Sequence, residues 1–596
     1  MKNTRNKLLA VIVLVFLFLP IFFSFSVIAE EVVSGDIYYE GTADIMNPSA
    51  NPRFLPEIVL FGSRYSDSQN SALLRDFLAE RFLNIEQYKN EFTLTEHRFS
   101  GLEASDVLLL DMSKFKGFPL NYTQENISVL AEAVNDLMNK SPGLFWCKGQ
   151  YIYVPEVQGG VLKIAKIGLR LNCNENFNVS SGLNPVIAKV NSLTDEFDSY
   201  VQSITGLIPD DYSDYEKILF VNDYLCADFK YDTSVYINSN SAIYDAFNFF
   251  KEGKGVCQAY TSAFMAIMDE LGIRCDSVIS KSMNHTWNLV ELDGKWYHVD
   301  VTWNDPVIGN CENDTFGSAR HKYFLLSTEC ITDAVHNHYG FNIENYGYKI
   351  GTEYDQINVN TDRSLKSSFV ELNGVWYNTG YNSSNYTCGL YAFDSPDISD
   401  ISDQDFQARA IYSINDWEYM GSYSYLAKYN DAVFFNTADS IYMFDGNKVT
   451  KLYTPPKEFY EKIYGFDIKD NTIRIQLAES PNSSDMMYAT LITVNLSDLI
   501  DDEVSIKNYV EKNGQVTIYS SLNKEATLIF ASYDKDNRMI DCKTKVYSGI
   551  TKITSGTRKY TAPADLNTNG ADKITVMLLE NTNSLRPLCN SLKKGM

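Results

Sequence analysis

The chain reads as a multidomain protein of mixed class: an α+β N-terminal region, an α+β core, an all-β middle and an all-β end. Three observations predict this. Helix-spaced and alternating apolar patterns are interleaved up to about residue 345. From about residue 360 the pattern changes to short aromatic-rich strands punctuated by Asn-Gly and Asp-Gly. The length of 596 residues leaves room for about three or four domains.

The N-terminus has the form of a targeting segment. Lys2, Arg5 and Lys7 precede an apolar run from Leu8 to Ala29, and Val27-Ile28-Ala29 is an acceptable cleavage site before Glu30-Glu31. Residues 1–29 are expected to be a signal peptide or, because the run is long, an uncleaved membrane anchor. Either way the remainder is expected to be exported, as a secreted or cell-surface protein. The chain is 45% apolar and 13% aromatic, enough to fill its cores. Its 51 basic and 76 acidic residues give a formal charge of -25, which argues against nucleic acid and anionic lipid as partners.

In the N-terminal region, 35–200, Ser71 to Leu83 and Glu125 to Met138 have helical periodicity. Tyr151 to Val154 and Gly160 to Ile167 read as strands about a Gly159-Gly160 turn. The core, 205–345, opens with an amphipathic helix over Tyr215 to Leu225. Gly253 and Gly255 then break the chain ahead of Cys257. After it, Tyr260, Thr261, Phe264, Ile267, Met268 and Leu271 recur at helical spacing, and Gly272 supplies a stop. Cys257 is therefore expected in the first turn of a buried helix, where unpaired amides and the helix dipole favour the reactive thiolate.

Thr286 to Leu292 and Lys295 to Val301 read as two strands about Asp293-Gly294, a strong two-residue hairpin signal. Counting back from that turn sets Leu292 opposite Lys295, Leu289 opposite His298, Trp287 opposite Asp300 and His285 opposite Thr302. His285, Trp287, Asp300 and Thr302 then share a face, and His285 and Asp300 are diagonal neighbours. A thiol, an imidazole and a carboxylate in this arrangement are the parts of an activated nucleophile: Asp300 orients His285, and His285 takes the thiol proton. His298 lies on the same face and competes as the base, but it stands farther from Asp300.

Gly-Val-Cys257, His285-x-Trp287 and Trp-Tyr-x-Val-Asp300-x-Thr-Trp resemble, in order, the three boxes of the transglutaminase-like superfamily. The resemblance is to secreted bacterial members and to transglutaminase/protease-like cytokinesis proteins. It implies a papain-like core with Cys257 as nucleophile, His285 as base and Asp300 as third member. Tyr244, Gln258 and Trp287 would support the site or contact substrate. Gln258-Ala259 departs from the family's usual residues after the cysteine, which bears on the pocket's shape. The resemblance implies no cofactor, and no calcium-loop pattern occurs.

Other features carry less. The ten cysteines show no zinc spacing; Cys147 with Cys173, Cys311 with Cys330 and Cys542 with Cys589 are conceivable pairs. His336-x-His338 could be half a metal site but reads better as a surface loop, so no metal is expected. Strand pairs recurring over 360–500 suggest a propeller-like array. Residues 505–596 resemble the β-sandwich that ends many exported bacterial proteins.

The expected function is that of an exported thiol acyltransferase or hydrolase acting on amide bonds of proteins or peptides, with a protein or peptide partner such as a cell-wall or surface protein. The alternative is a non-catalytic surface protein using the same modules for binding.

Overall fold

The computed structural model describes residues 39–42, 69–99, 104–172, most of 177–355 except 306–315, most of 367–499, and the strands of 504–595. The N-terminal apolar run and Cys173, Cys311 and Cys589 lie outside the described residues. Cys147, Cys330 and Cys542 carry free thiols, so the pairings conceived for them are not formed. Two compact units are present: residues 1–203 with 342–347, and residues 204–341 with 348–596. Among the described residues no helix is long and apolar enough to cross a membrane.

The first unit is built on an antiparallel five-stranded sheet in the order β1-β4-β5-β3-β2. Its strands are β1 (Tyr39–Thr42), β2 (Phe92–Arg98), β3 (Ala104–Asp111), β4 (Cys147–Gln158) and β5 (Val161–Leu171). The last two form a hairpin over Gly159 and Gly160, both in the left-handed region that glycine tolerates (φ 61° and 81°). The strands expected here are the middle of β4 and the first part of β5, the latter begun one residue early at Gly160. Helix α1 (Gln69–Leu83) buries Leu74, Leu78 and Phe82 from one face. Helix α2 (Gln124–Lys140) starts at Thr123, whose hydroxyl accepts the Asn126 amide at 3.2 Å.

The second unit holds the core predicted from the motifs. Helix α3 (Asp214–Asp228) begins in a capping box, with Ser213 and Glu216 satisfying each other's amides. A short parallel pair, β6 (Lys230–Tyr231) with β7 (Lys254–Gly255), brackets helix α4 (Ala246–Glu252). Helix α5 (Cys257–Glu270) follows and lies against a sheet in the order β10-β9-β8. These strands are β8 (Cys275–Ser280), β9 (His285–Leu292) and β10 (Lys295–Val299). The β9–β10 register is the one the Asp293-Gly294 turn predicts: Leu292 pairs with Lys295 and Leu289 with His298. Asp293 and Gly294 sit at φ 52° and 73°, as a tight hairpin turn requires.

One expectation fails at the far end of that hairpin. The second strand stops at Val299 and does not reach Val301. Asp300 leaves the ladder to cap a single helical turn, α6 (Val301–Asn304), its carboxylate accepting the Trp303 amide at 3.1 Å. Thr302 is therefore helical, not a strand residue paired with His285. An aspartate can cap a helix by its own side chain, and here that local bond outcompetes strand continuation.

The remainder of this unit is β-rich. Strands β11 (Val370–Leu372), β12 (Val375–Asn382), β13 (Thr387–Phe393) and β14 (Ala410–Ile414) form one antiparallel meander. A second contains β15 (Leu426–Tyr429), β16 (Ala432–Asn436), β17 (Ile441–Phe444) and β18 (Val449–Tyr453). A third contains β19 (Lys462–Lys469), β20 (Thr472–Ala478) and β21 (Thr490–Asn495). Leu390, Leu426 and Phe435 join the first to the second, and Phe434, Ile441, Phe466 and Ile475 join the second to the third. Beyond residue 504 the strands form sheets of three and five. The β-rich part is bonded to the core: Asp223 accepts the Phe369 amide at 2.7 Å, and Tyr215 donates to the Pro396 carbonyl at 3.4 Å.

The backbone just before Cys257 has no spare room. A methyl group on Gly255 would lie 2.6 Å from the Ala259 Cβ and 2.7 Å from a Phe249 ring carbon. Gly255→Ala should therefore lower the stability of the full chain by about 1–3 kcal/mol. A fall in the urea midpoint of that size checks it, and an unchanged midpoint would mean that the contact relaxes freely.

Candidate active site

Cys257 is placed by what surrounds the start of α5. Gly253 ends α4 in the left-handed conformation, φ 72°, its amide bonded back to Phe249. Gly255 then pairs with β6, accepting the Asp232 amide at 2.8 Å. Val256 is the residue before the helix and has no side-chain oxygen to cap it; its carbonyl takes the amides of Ala259 and Tyr260. The amides of Cys257 and Gln258 face no acceptor among the described residues. They leave two donors and the positive end of the helix beside the sulfur.

The other two members arrive from the hairpin. His285 Nε2 lies 2.6 Å from Asp300 Oδ2, and both side chains are buried. The Cys257 thiol lies near enough to the same ring to raise its basicity. Since Nε2 is engaged by Asp300, Nδ1 is the nitrogen left for it. Burial lowers the basicity of His285, but the Asp300 carboxylate and the thiol outweigh it and hold the ring well above the ordinary histidine range. Burial likewise raises Asp300, and the charge of His285 with hydrogen bonds from His285 and His338 brings it below the usual carboxylate range. Asn288, on the opposite face of β9, donates to the Thr261 carbonyl of α5 at 3.1 Å and so ties the histidine strand to the cysteine helix.

Two indoles stack near the His285 ring: Trp287 at 5.6 Å and Trp303 at 5.3 Å between centroids, each inclined by 24°. Trp287 is in turn anchored by His298, its indole N–H donating to His298 Nδ1 at 2.9 Å. With Nδ1 accepting, His298 carries its proton on Nε2 and donates to Thr328 Oγ1, 3.0 Å away. Burial, with the nearby His338, pushes His298 down to about 3. It is a neutral ring that holds Trp287 and makes no bond to Asp300.

The His336-His338 stretch is not a surface loop. Both rings are buried, and His338 Nε2 lies 2.9 Å from Asp300 Oδ2, the oxygen that also meets His285. The loop folds inward because His336 is held by Asp333, backbone amide at 2.8 Å and Nδ1 at 2.9 Å, while the His338 amide bonds Ile331. His338 and Trp303 are the residues that sequence reasoning missed. The His-x-His spacing was visible, but nothing local tied it to Asp300.

The residues expected to support the site are present around the sulfur. Tyr244 is half-buried and pushed up to about 12 by burial, Asp232 and Cys257. Tyr231 is raised too, by burial and then by Cys257 and the tyrosines Tyr236 and Tyr244. Gln258 is half-buried, with its Oε1 unpartnered. His285, Asp300 and His338 present donor atoms within 4.8 Å of one another. Both imidazoles point their Nε2 at one oxygen of Asp300, at 2.6 and 2.9 Å. Cys330, Asp333 and His336 also cluster within that distance, and burial pushes the Cys330 thiol up to about 12.

Comparison with known proteins places the family likeness on this core. Residues 198–301 match the model of the transglutaminase-like superfamily. The kyphoscoliosis peptidase of Mus musculus is 22% identical over 136 residues, 20% of this chain and 21% of the relative. That of Homo sapiens is 21% identical over the same length and the same shares. The match thus spans about a fifth of the curated relatives' length. A solved structure described as a crystal structure of a TGase is similar over 25% of this chain and 44% of its own, at 16% identity and a TM-score of 0.18. The chain accordingly carries a transglutaminase-like domain, within a multidomain protein of many β-sheets and several helices.

The state of His298 has a measurable consequence. Its folded value of about 3 lies below the ordinary 6.5, so its contribution to stability is complete above pH 6.5 and is lost as pH falls toward 3. His285 is raised, so its contribution is complete below pH 6.5 and is lost only at higher pH. Asp300 is lowered, and its contribution begins to fail only below 3.8. Between pH 6.5 and 3.8, then, His298→Gln should flatten the decline in stability seen in the parent. Urea midpoints across that window check it; parallel curves would show that His298 does not titrate there on unfolding.

Proposed function

We propose that this chain is an exported thiol acyltransferase or hydrolase that acts on amide bonds of proteins or peptides, with Cys257 as nucleophile, His285 as general acid–base and Asp300 as its orienting carboxylate. The observation that carries the reading is the buried His285 Nε2–Asp300 Oδ2 contact at 2.6 Å, on a ring whose basicity the neighbouring Cys257 helps to raise. A transglutaminase-like domain is generally a cysteine-based enzyme, which agrees with it.

The chemistry follows from the geometry. His285 Nδ1 takes the thiol proton, and the Asp300 charge stabilises the imidazolium. The thiolate attacks an amide carbonyl, and the open amides of Cys257 and Gln258 can donate to the oxyanion that forms. His285 returns the proton to the leaving amine. The resulting thioester is transferred to water, giving a peptidase or amidase, or to an amine, giving a cross-link. Tyr244, Gln258 and Trp287 serve as supporting or substrate-contacting residues. In this reading residues 1–29 direct export, the meanders of 360–500 form a propeller-like array, and 505–596 form a β-sandwich. The acidic surface suits a protein partner at the cell surface, with no nucleic acid.

Thiol labelling tests the reading directly. Cys147, Cys275, Cys330 and Cys388 are all pushed up by burial and should label slowly. Cys257, only 7% exposed, should nonetheless react with iodoacetamide near neutral pH faster than the exposed Cys542. Peptide mass spectrometry of partly alkylated protein measures both rates, and a Cys257 that labels more slowly than Cys542 would refute the nucleophile role. On an amide substrate, Cys257→Ala should abolish turnover. His285→Ala and Asp300→Asn should each reduce it by about 10²–10⁴-fold, Asp300→Asn the less of the two.

A further inference from the structure

The thiol reading uses one histidine on Asp300, but two reach it. His338 is 1% exposed, and its Nε2 stands 2.9 Å from the same Oδ2 that His285 meets at 2.6 Å. The other carboxylate oxygen is occupied by the Trp303 amide. Asp300 is an acceptor, so His338 must carry a proton on Nε2 to bond it. Its Nδ1 faces the His336 carbonyl at 3.0 Å, a second bond that forms when both ring nitrogens carry protons. Behind it, Asp333 holds the His336 amide and ring. A connected series thus runs from Asp333 through His336 and His338 to Asp300 and His285.

We propose that His338 is a positioning residue of the site: by donating a second hydrogen bond to Asp300 Oδ2 it fixes the carboxylate in the one orientation that holds His285 over the Cys257 thiol. This rests on the thiol reading above. A carboxylate bonded only by His285 and the Trp303 amide could turn about its Cβ–Cγ bond and follow His285, whereas one bonded from two rings on one oxygen cannot turn toward either without breaking the other bond. Among the described residues the hydrogen bonds of His338 go to Asp300 and the His336 carbonyl and none goes to the thiol. The groups that face it are Asp300, the rings of His285, His298 and Tyr323, the indoles of Trp287 and Trp303, and the His336 carbonyl.

The bland reading is that a buried ring fills space, and the two readings differ in the pH profile. The rate of Cys257 alkylation by iodoacetamide is measured on the full chain from about pH 4 to about pH 10, by peptide mass spectrometry, with a thermal melt for each variant. The rate that the parent shows near pH 6 should be lost in His285→Ala. His338→Leu should lower the rate near pH 6 by about ten- to hundredfold and move the acid limb of the profile to higher pH than in the parent. His338→Gln, whose amide can place an N–H where Nε2 stands, should restore most of the rate and return the limb. If His338→Leu does not fold, His338→Asn serves, since its shorter amide cannot reach Asp300, and Gln should then exceed Asn. A folded His338→Leu with the parent's profile, or Gln no better than Leu or Asn, overturns the role of His338 and leaves the triad intact. A parent profile unaltered by His285→Ala overturns the thiol reading itself, and the positioning role falls with it.

Discussion

Asp300 is a carboxylate with no exposed surface, and its charge governs the arrangement around it. An ionised carboxylate in a protein interior is tolerated only when its oxygens are paired and hydrogen-bonded. Here one oxygen takes the Trp303 amide and the other takes two imidazoles. The three donors come from separate parts of the chain: the turn after β10, the start of β9 and the loop beyond residue 331. Each part has its own reason to arrive. The helical turn α6 needs a cap, the hairpin register delivers His285, and Asp333 folds the His336-His338 loop inward.

The thiol is held to this arrangement by backbone and side-chain bonds that carry no chemistry. Asn288 joins β9 to α5, and Tyr260, one turn along α5 from Cys257, bonds the buried Asp305 just beyond α6. Trp287 bonds His298, and His298 bonds Thr328. The distance between sulfur and imidazole is thus set by three rigid elements and not by a loop, which is what a reacting pair requires. The near-continuous burial of β9 reflects the same demand, since one face holds the histidine and its indole while the other grips the helix.

Much of this was legible in the residues. Asp293-Gly294 specifies a two-residue turn, and a period of two then determines which side chains share a face; no tertiary information is needed. Gly253 and Gly255 announce the break before Cys257, although for different reasons, one a left-handed backbone and the other a close approach. What was illegible came from competition or from distance. Whether Asp300 would continue a strand or cap a helix depended on contacts that the local pattern does not contain. His338 lies 38 residues from Asp300, and its inward turn depends on Asp333 and Ile331, so a His-x-His pair in a polar stretch looked like surface. The β-rich half showed its strands through alternation, while the stacking of its meanders rests on long-range contacts such as Phe434 with Phe466.

The two indoles beside His285 restrict more than its position. An imidazole stacked near Trp287 and Trp303, with Nε2 tied to Asp300, breaks that bond if it turns to present its other nitrogen there. In the proposed reaction Nδ1 would then be the single port for protons: the one removed from the thiol would wait there and leave from there. Departing amine and incoming acceptor would use that port in turn, from the same side of the acyl group. The leaving fragment would have to clear the site before the acceptor is activated, and the choice between water and an amine would fall to whichever reaches the vacated side first.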